Sequence, residues 1–181
     1  MKNIIEQLSN YKSVHLNKSN IKTHFVGIPA IIWSVALLLS LVSFDFTVAG
    51  NEVTLSLCVI ISVLVLCYYL VLHVPLAIML AAIFGPLIYS AGLFVDFEYP
   101  VALAIGVFVV GWVFQFIGHA YEKAKPAFVD DLMQLLIGPL FLIAEIYFAL
   151  GLNKSLESQV HEKAVEKRKL FEQAKRQEQA A

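Results

Sequence analysis

As a pattern of apolar and polar positions, the chain divides into four clean apolar runs, one interrupted run and two charged ends. The clean runs cover residues 25–44, 53–72, 74–95 and 100–118, and none holds a formal charge. About 20 apolar residues cross the hydrocarbon core of a bilayer as a helix. Lipid offers the backbone no hydrogen-bond partner, so each run is expected to be helical. Pro75 and Pro86 are expected to kink the third run, and His73 and Val74 leave room only for a tight hairpin between the second and third.

The fifth run, residues 132–152, holds Gln134, Glu145 and a central Gly138-Pro139 pair, which interrupts a helix. Basic residues suggest its course. Four lie in the first 24 residues (Lys2, Lys12, Lys18, Lys22), none in the loops at 45–52 and 96–99, Lys123 and Lys125 in the next loop, and seven after Leu152. The positive-inside rule then places the N-terminus and the loop at 119–131 in the cytoplasm, with four spans between them. A fifth full span would export the most basic segment. A re-entrant or interfacial hairpin bent at Gly138-Pro139 is therefore favoured, leaving both termini cytoplasmic.

The tail after Leu152 places Leu156, Val160, Ala164, Phe171 and Ala174 on a narrow apolar stripe, flanked by Glu166–Lys169 and Glu172–Arg176 pairs. It reads as a solvated or membrane-surface helix, with a short coiled-coil contact as the alternative. The same stripe is a candidate surface for a homo-oligomer. The expected fold is all-α: a polytopic bundle of four transmembrane helices, a re-entrant or fifth segment and a C-terminal cytoplasmic helix. Its parts are an N-terminal segment at 1–24, a membrane domain at 25–152 and a charged helix at 153–181.

Composition sharpens this picture. Of 181 residues, 59% are hydrophobic and 15% charged, against about 45–50% and 25% in soluble domains. A soluble, disordered or nucleic-acid-binding protein is thereby excluded. Cys58 and Cys67 both lie inside an apolar run, with no CxxC spacing and no disulfide framework. The first 24 residues hold no apolar h-region, so no cleavable signal peptide is expected.

The membrane gathers the candidate chemistry. With four spans, His15 and His24 before the first and His119 at the end of the fourth come to one face, and His73 in the cytoplasmic turn is a reserve ligand. His161 reads as surface. On one straight helix His15 and His24 would be rotated by about 900° and face apart. Asn17 and Asn20 are turn and cap residues, and a break there folds the two rings toward each other. His119 and Glu122, three apart, share a helix face, a spacing used by metal sites in helical bundles. Imidazole with carboxylate suits iron, zinc or manganese, and three histidines with open positions suit a catalytic metal. Glu145 within an apolar run is costly unless it has a role. It either takes an N–H from a metal-bound imidazole or sits at headgroup level.

These residues carry a resemblance. The run Tyr11…His15-Leu16-Asn17…Asn20…His24-Phe25-Val26-Gly27-Ile28-Pro29 resembles the N-terminal signature of the Mpo-like family of small membrane proteins. A second signature is matched by Gly111-Trp112…Gln115…Gly118-His119…Glu122…Pro126-Ala127…Asp130-Asp131…Gln134…Gly138-Pro139…Glu145. Together they span residues 11–145, while the second and third apolar runs match in hydropathy alone. Lys18 stands where the family pattern has proline, a departure that touches no candidate ligand. The resemblance implies an Fe(II)-dependent dioxygenase of fatty acid alpha-oxidation, which uses O2 to shorten 2-hydroxy fatty acids by one carbon. It implies Fe(2+) on His15, His24 and His119, in the endoplasmic reticulum of a eukaryote or the inner membrane of a bacterium. Glu122 is expected as fourth ligand or as the catalytic proton-handling base. Lys22, Lys123 and Lys125 are expected either as positive-inside anchors or to steer the substrate carboxylate. Glu145, Asn17 and Asn20 are expected just behind the ligands. A zinc-dependent membrane hydrolase would use the same ligand types, and a scaffold or transporter would leave the convergent histidines unexplained. Five histidines are too few for a di-iron hydroxylase.

Overall fold

A computed structural model describes residues 3–48, 50–122 and 133–180. Among them the chain forms seven helices and one two-stranded sheet: α1 (Ile4–Ser13), α2 (Lys18–Ser40), β1 (Ser43–Val48), β2 (Asn51–Ser56), α3 (Leu57–Leu72), α4 (Val74–Gly92), α5 (Pro100–Glu122), α6 (Gln134–Ala149) and α7 (Lys154–Ala180). The helices fall into two units, Met1–Lys22 with Ile117–Ala181 and Thr23–Phe116. The division passes through α2 and α5, each of which is one unbroken helix.

Local signals place the ends. Asn3 caps α1 by accepting the Glu6 N–H at 2.9 Å, and Asn17 stands before α2 with its Oδ1 on the Ser19 N–H at 2.8 Å. Ser56 caps α3. His73 ends α3 and caps α4, its Nδ1 accepting the Leu76 N–H at 3.3 Å. The tight hairpin expected there is present. Gly151 and Asn153 turn the chain at positive φ, 75° and 51°, and Asn153 caps α7 through the Leu156 N–H.

The first apolar boundary is corrected. The run at 25–44 stops being helical at Ser40, and the run at 53–72 becomes helical only at Leu57. Between them β1 and β2 pair antiparallel, Asp45 opposite Thr54, with the Thr54 hydroxyl donating to Asp45 at 2.6 Å. The pattern Phe44-Asp45-Phe46-Thr47 and Glu52-Val53-Thr54-Leu55 alternates apolar and polar, the period of a strand. Gly50, at φ 82°, closes the turn. Three helices, α2, α4 and α5, are long and apolar enough to cross a membrane, while α3 and α6 are shorter apolar helices of 16 residues. The coarse architecture is a helical, membrane-type bundle. Within the second unit, Ala36, Leu37, Cys58, Ala91 and Ala104 form the buried centre, and the Trp33 indole donates to Ser90 at 3.1 Å.

The fifth run is corrected as well. α6 continues through Gly138-Pro139 as a single helix instead of a hairpin. Pro139 forfeits only the bond its own N–H would make one turn back, and burial holds the remainder. Ile137, Leu140 and Ile143 are inaccessible and Phe141 nearly so. α6 packs against α1, and α1 against α7.

The tail is not a free surface helix. Leu156, Val160 and Ala164 are buried, with Leu170 and Phe171 left exposed farther along. Glu6 on α1 pairs with both Lys163 and Lys167. The helical pair present on α7 is Arg168–Glu172.

Candidate metal centre

The break between α1 and α2 sets the first ligand. α1 ends at Ser13, and His15 follows, 1% exposed. Its Nδ1 lies 2.6 Å from the Tyr11 carbonyl. A carbonyl only accepts, so Nδ1 carries the proton and Nε2 keeps its lone pair, the neutral tautomer a metal needs. The Tyr11 ring stacks on the imidazole at 4.0 Å with an interplanar angle of 2°, and Phe141 of α6 lies against both rings. Burial pushes the Tyr11 hydroxyl well above its ordinary value, so it stays protonated.

His119 enters from α5, its ring 4.8 Å from that of His15 and nearly edge-on. His24, on the first turns of α2, is 1% exposed. One ligand atom from each of His15, His24 and His119 lies within 4.8 Å of the others, and all three residues are buried. Nitrogens about 2.0–2.1 Å from a first-row ion are separated from one another by about 3.4 Å in tetrahedral geometry. Small side-chain adjustments therefore suffice, and the all-nitrogen donor set fits such an ion. These are the three histidines that the sequence reading expected at one face.

The remaining expected residues take other places. Glu122 is buried but outside this cluster. Its Oε2 accepts the Asn17 backbone N–H at 2.8 Å and the Asn20 Nδ2 at 3.2 Å, and Asn17 Nδ2 donates to the Tyr121 carbonyl at 3.2 Å. Asn17 and Asn20 thus tie the turn that bears His15 to the end of α5. Glu145 pairs with Lys12, one residue after the carbonyl that holds His15, and Lys12 also lies over the Phe141 ring at 5.7 Å. His73 caps α4 and is not in the cluster; burial lowers its pKa. Lys22 and His161 are exposed. Lys123 and Lys125 lie outside the described residues.

Two residues, Arg168 and Gln7, escaped the sequence reading. Arg168 of α7 has Nη1 3.7 Å from Glu122 Oε1, and its Nη2 donates to the Glu122 carbonyl at 3.2 Å. Gln7 and Gln134 form a buried amide pair at 3.1 Å. The i, i+4 spacing of Arg168 from Ala164 was the available signal for the first. No signal short of the fold pairs Gln7 with Gln134, which the sequence marks as a polar residue in an apolar run.

The family model described as 2-hydroxy-palmitic acid dioxygenase Mpo1-like matches residues 1–150. The chain is 31% identical over 167 residues to the 2-hydroxy-palmitic acid dioxygenase MPO1 of Saccharomyces cerevisiae (strain ATCC 204508 / S288c), covering 91% of each chain. No solved structure matches.

Proposed function

The chain belongs to the 2-hydroxy-palmitic acid dioxygenase Mpo1-like family, and from that premise we propose that it is a membrane dioxygenase. In this reading it uses Fe(II) and O2 to convert a long-chain 2-hydroxy fatty acid into the acid one carbon shorter. The buried triad of His15, His24 and His119 carries the proposal. Bound there, Fe(II) would supply Lewis acidity toward the carboxylate and hydroxyl of the substrate and the redox capacity that dioxygen chemistry requires. Taking C2 from alcohol to carboxyl while C1 leaves as CO2 removes four electrons. One O2 accepts four on reduction, so the balance closes with water as co-product and no added reductant.

The protein's own part is positional. Neutral imidazoles leave the ion its charge for an anionic substrate. The Tyr11 carbonyl fixes the His15 tautomer, and Tyr11 and Phe141 shield that ring from water. The alkyl tail lies among apolar helices, where each buried methylene contributes roughly 0.8 kcal/mol. Lys22, with Lys123 and Lys125, draws the carboxylate to the membrane surface.

Parity supports four crossings. His24 begins α2 and His119 lies near the end of α5, yet their rings meet. An even number of crossings brings those two ends to one side, which supports the reading in which α3 crosses along with α2, α4 and α5. Its 16 residues reach about 24 Å, short of the roughly 30 Å core, and local thinning accommodates it. Basic residues put the triad on the cytoplasmic face.

The test is aerobic against anaerobic turnover of 1-labelled 2-hydroxypalmitate by purified protein of measured iron content. The expected result is a C15 acid formed only in air, with loss of label from the product. His15→Ala, His24→Ala or His119→Ala should remove most iron and nearly all product, whereas His161→Ala should change neither. Product formed equally without oxygen would overturn the reading in favour of a hydrolase, and full iron occupancy in His15→Ala would remove that residue from the site.

A further inference from the structure

We propose that Arg168 is a positioning residue for the histidine site, acting through Glu122, so that α7 is a working part of the protein and not an appendage. The inference rests on the metal-site reading given above. Glu122 is the last residue of α5, three beyond His119. Its carboxylate grips the turn between α1 and α2 through the Asn17 N–H and Asn20 Nδ2, and Asn17 reaches back to the Tyr121 carbonyl. That turn holds His15. The relative placement of His15 and His119 is therefore set by this knot of hydrogen bonds.

A carboxylate whose side chain is only 4% exposed is costly unless hydrogen-bonded and paired. The two asparagines supply hydrogen bonds but no charge. Arg168 supplies the charge at the other oxygen, with Nη1 at 3.7 Å from Oε1. Its Nη2 also takes the Glu122 carbonyl, one of the carbonyls a helix leaves unpaired at its C-terminus, where a cation meets the negative end of the dipole. Glu172 holds the guanidinium by its Nε at 2.7 Å. Behind it, Leu156, Val160 and Ala164 bury the earlier turns of α7, and Lys163 and Lys167 bind Glu6. The brace thus comes from beyond residues 1–150, the stretch that the family model matches.

Without Arg168, a buried acid faces neutral partners alone. Its hold on Asn17 and Asn20 then slackens. Groups that orient metal ligands from behind are worth roughly 10–100-fold in metal affinity. The same size of effect is expected here.

The experiment uses the full chain in lipid nanodiscs, with Co(II) as the probe ion titrated in competition with a chelator. The wild type should bind one Co(II) that His119→Ala does not. Arg168→Ala should bind it roughly 10–100-fold more weakly, with Arg168→Lys intermediate. Lys163→Ala with Lys167→Ala, which weakens the seating of α7 without touching Glu122, should stay within about threefold of wild type even if thermal unfolding shifts as much. In a Glu122→Gln background, Arg168→Ala should add little further loss, because its route is already cut. Unchanged affinity in Arg168→Ala, an equal loss in the double lysine variant, or additive losses with Glu122→Gln would each overturn the proposal. Should Arg168→Ala fail to fold, Arg168→Gln, which keeps a donor for the carbonyl, is read by the same criteria. Absence of Co(II) binding by wild type would instead sink the metal reading itself, and the inference with it.

Discussion

α4 and α6 are both apolar helices with a proline inside, yet they dissolve in different things. α4 leaves Ile78 61% and Tyr89 73% exposed and carries no ionisable side chain apart from that tyrosine, as suits a helix long and apolar enough to cross a membrane. α6 is covered on nearly every side by protein, from Ile137 through Ala144, and its polar groups have protein partners: Gln134 with Gln7, Glu145 with Lys12. Hydropathy reports that a segment avoids water. It does not report what replaces the water. A helix that is hydrophobic all round is buried, in a membrane or in protein, and the polar residues on it distinguish the two.

The largest effect should come from breaking the protein side of this contrast. Phe141, 1% exposed, packs on Tyr11 and His15. Phe141→Ala should cost about 3–5 kcal/mol through transfer and cavity terms and loosen the His15 ring with it. Ile78→Ala on α4 removes atoms that protein does not cover and should cost under about 1 kcal/mol. Unfolding by denaturant in one detergent compares them, and equal losses would mean that α4 too is buried by protein.

Glycines extend the contrast within the second unit. A Cβ on Gly27 would lie 2.7 Å from both the Gly111 carbonyl and the Gln115 amide, so α2 and α5 touch there backbone to backbone. Small residues permit such crossings in lipid. Gly27→Ala should separate the helices at a cost of about 2 kcal/mol, in the range of overpacked cores. Gly85→Ala and Gly106→Ala meet nothing within 4 Å and should be neutral or stabilise by roughly 0.5–1 kcal/mol. Thermal unfolding of the three variants orders them. Gly27→Ala as mild as Gly85→Ala would refute the close crossing.

These particulars show how much was legible in the sequence. The apolar runs, the hairpin at His73 and a gathering of histidines could be read from hydropathy, charge and chain order, while the choice of His15, His24 and His119 over His73 came from the family resemblance. The partners of Glu122 and Glu145 could not, since Arg168 lies 46 residues from one and Lys12 lies 133 from the other. No local rule links such positions. The β1–β2 hairpin was legible in principle, but its alternation is submerged between two long apolar runs, and a window wide enough to find a span averages it away. α6 misled because Gly138-Pro139 is a break signal only where the freed backbone meets solvent.

A third variant asks whether the polar residues on α6 are what tie it to protein. The Lys12 and Glu145 side chains are 14% and 20% exposed. Lys12→Met leaves an acid in an apolar run without its cation and should destabilise the first unit by about 1–2 kcal/mol, less than a fully buried pair because water still reaches it. Adding Glu145→Leu should restore most of that loss. A double variant no more stable than the single would show that the pair, and not the relief of a lone charge, holds α6 to α1.

The smallest expected effect lies at the surface contact between α1 and α7, and pH isolates it. Hydrogen bonds from Lys163 and Lys167 hold the Glu6 carboxyl below its ordinary value of 4.5. A carboxyl depressed in the folded state stabilises the fold fully above its unfolded value, and that stabilisation is lost as pH falls through the folded value. Both lysines reach solvent, with Lys163 at 41% exposure, so the contribution is a surface one, of about 1 kcal/mol or less. Glu6→Gln should therefore be less stable than wild type at pH 7 by that amount, and the gap should close as pH drops below the ordinary carboxyl value. Salt should narrow it too, since exposed pairs are screened within about 10 Å at 0.1 M. Hydrogen exchange of the α1 amides, compared between the two proteins from neutral to acid pH, measures the gap directly. A gap that stays constant across that range would show that Glu6 contributes packing and hydrogen bonding but no charge. The docking of α7 would then rest on the burial of Leu156, Val160 and Ala164, on Arg168 and on hydrogen bonds such as that from Lys167 to Asn10, without a charge contribution from Glu6.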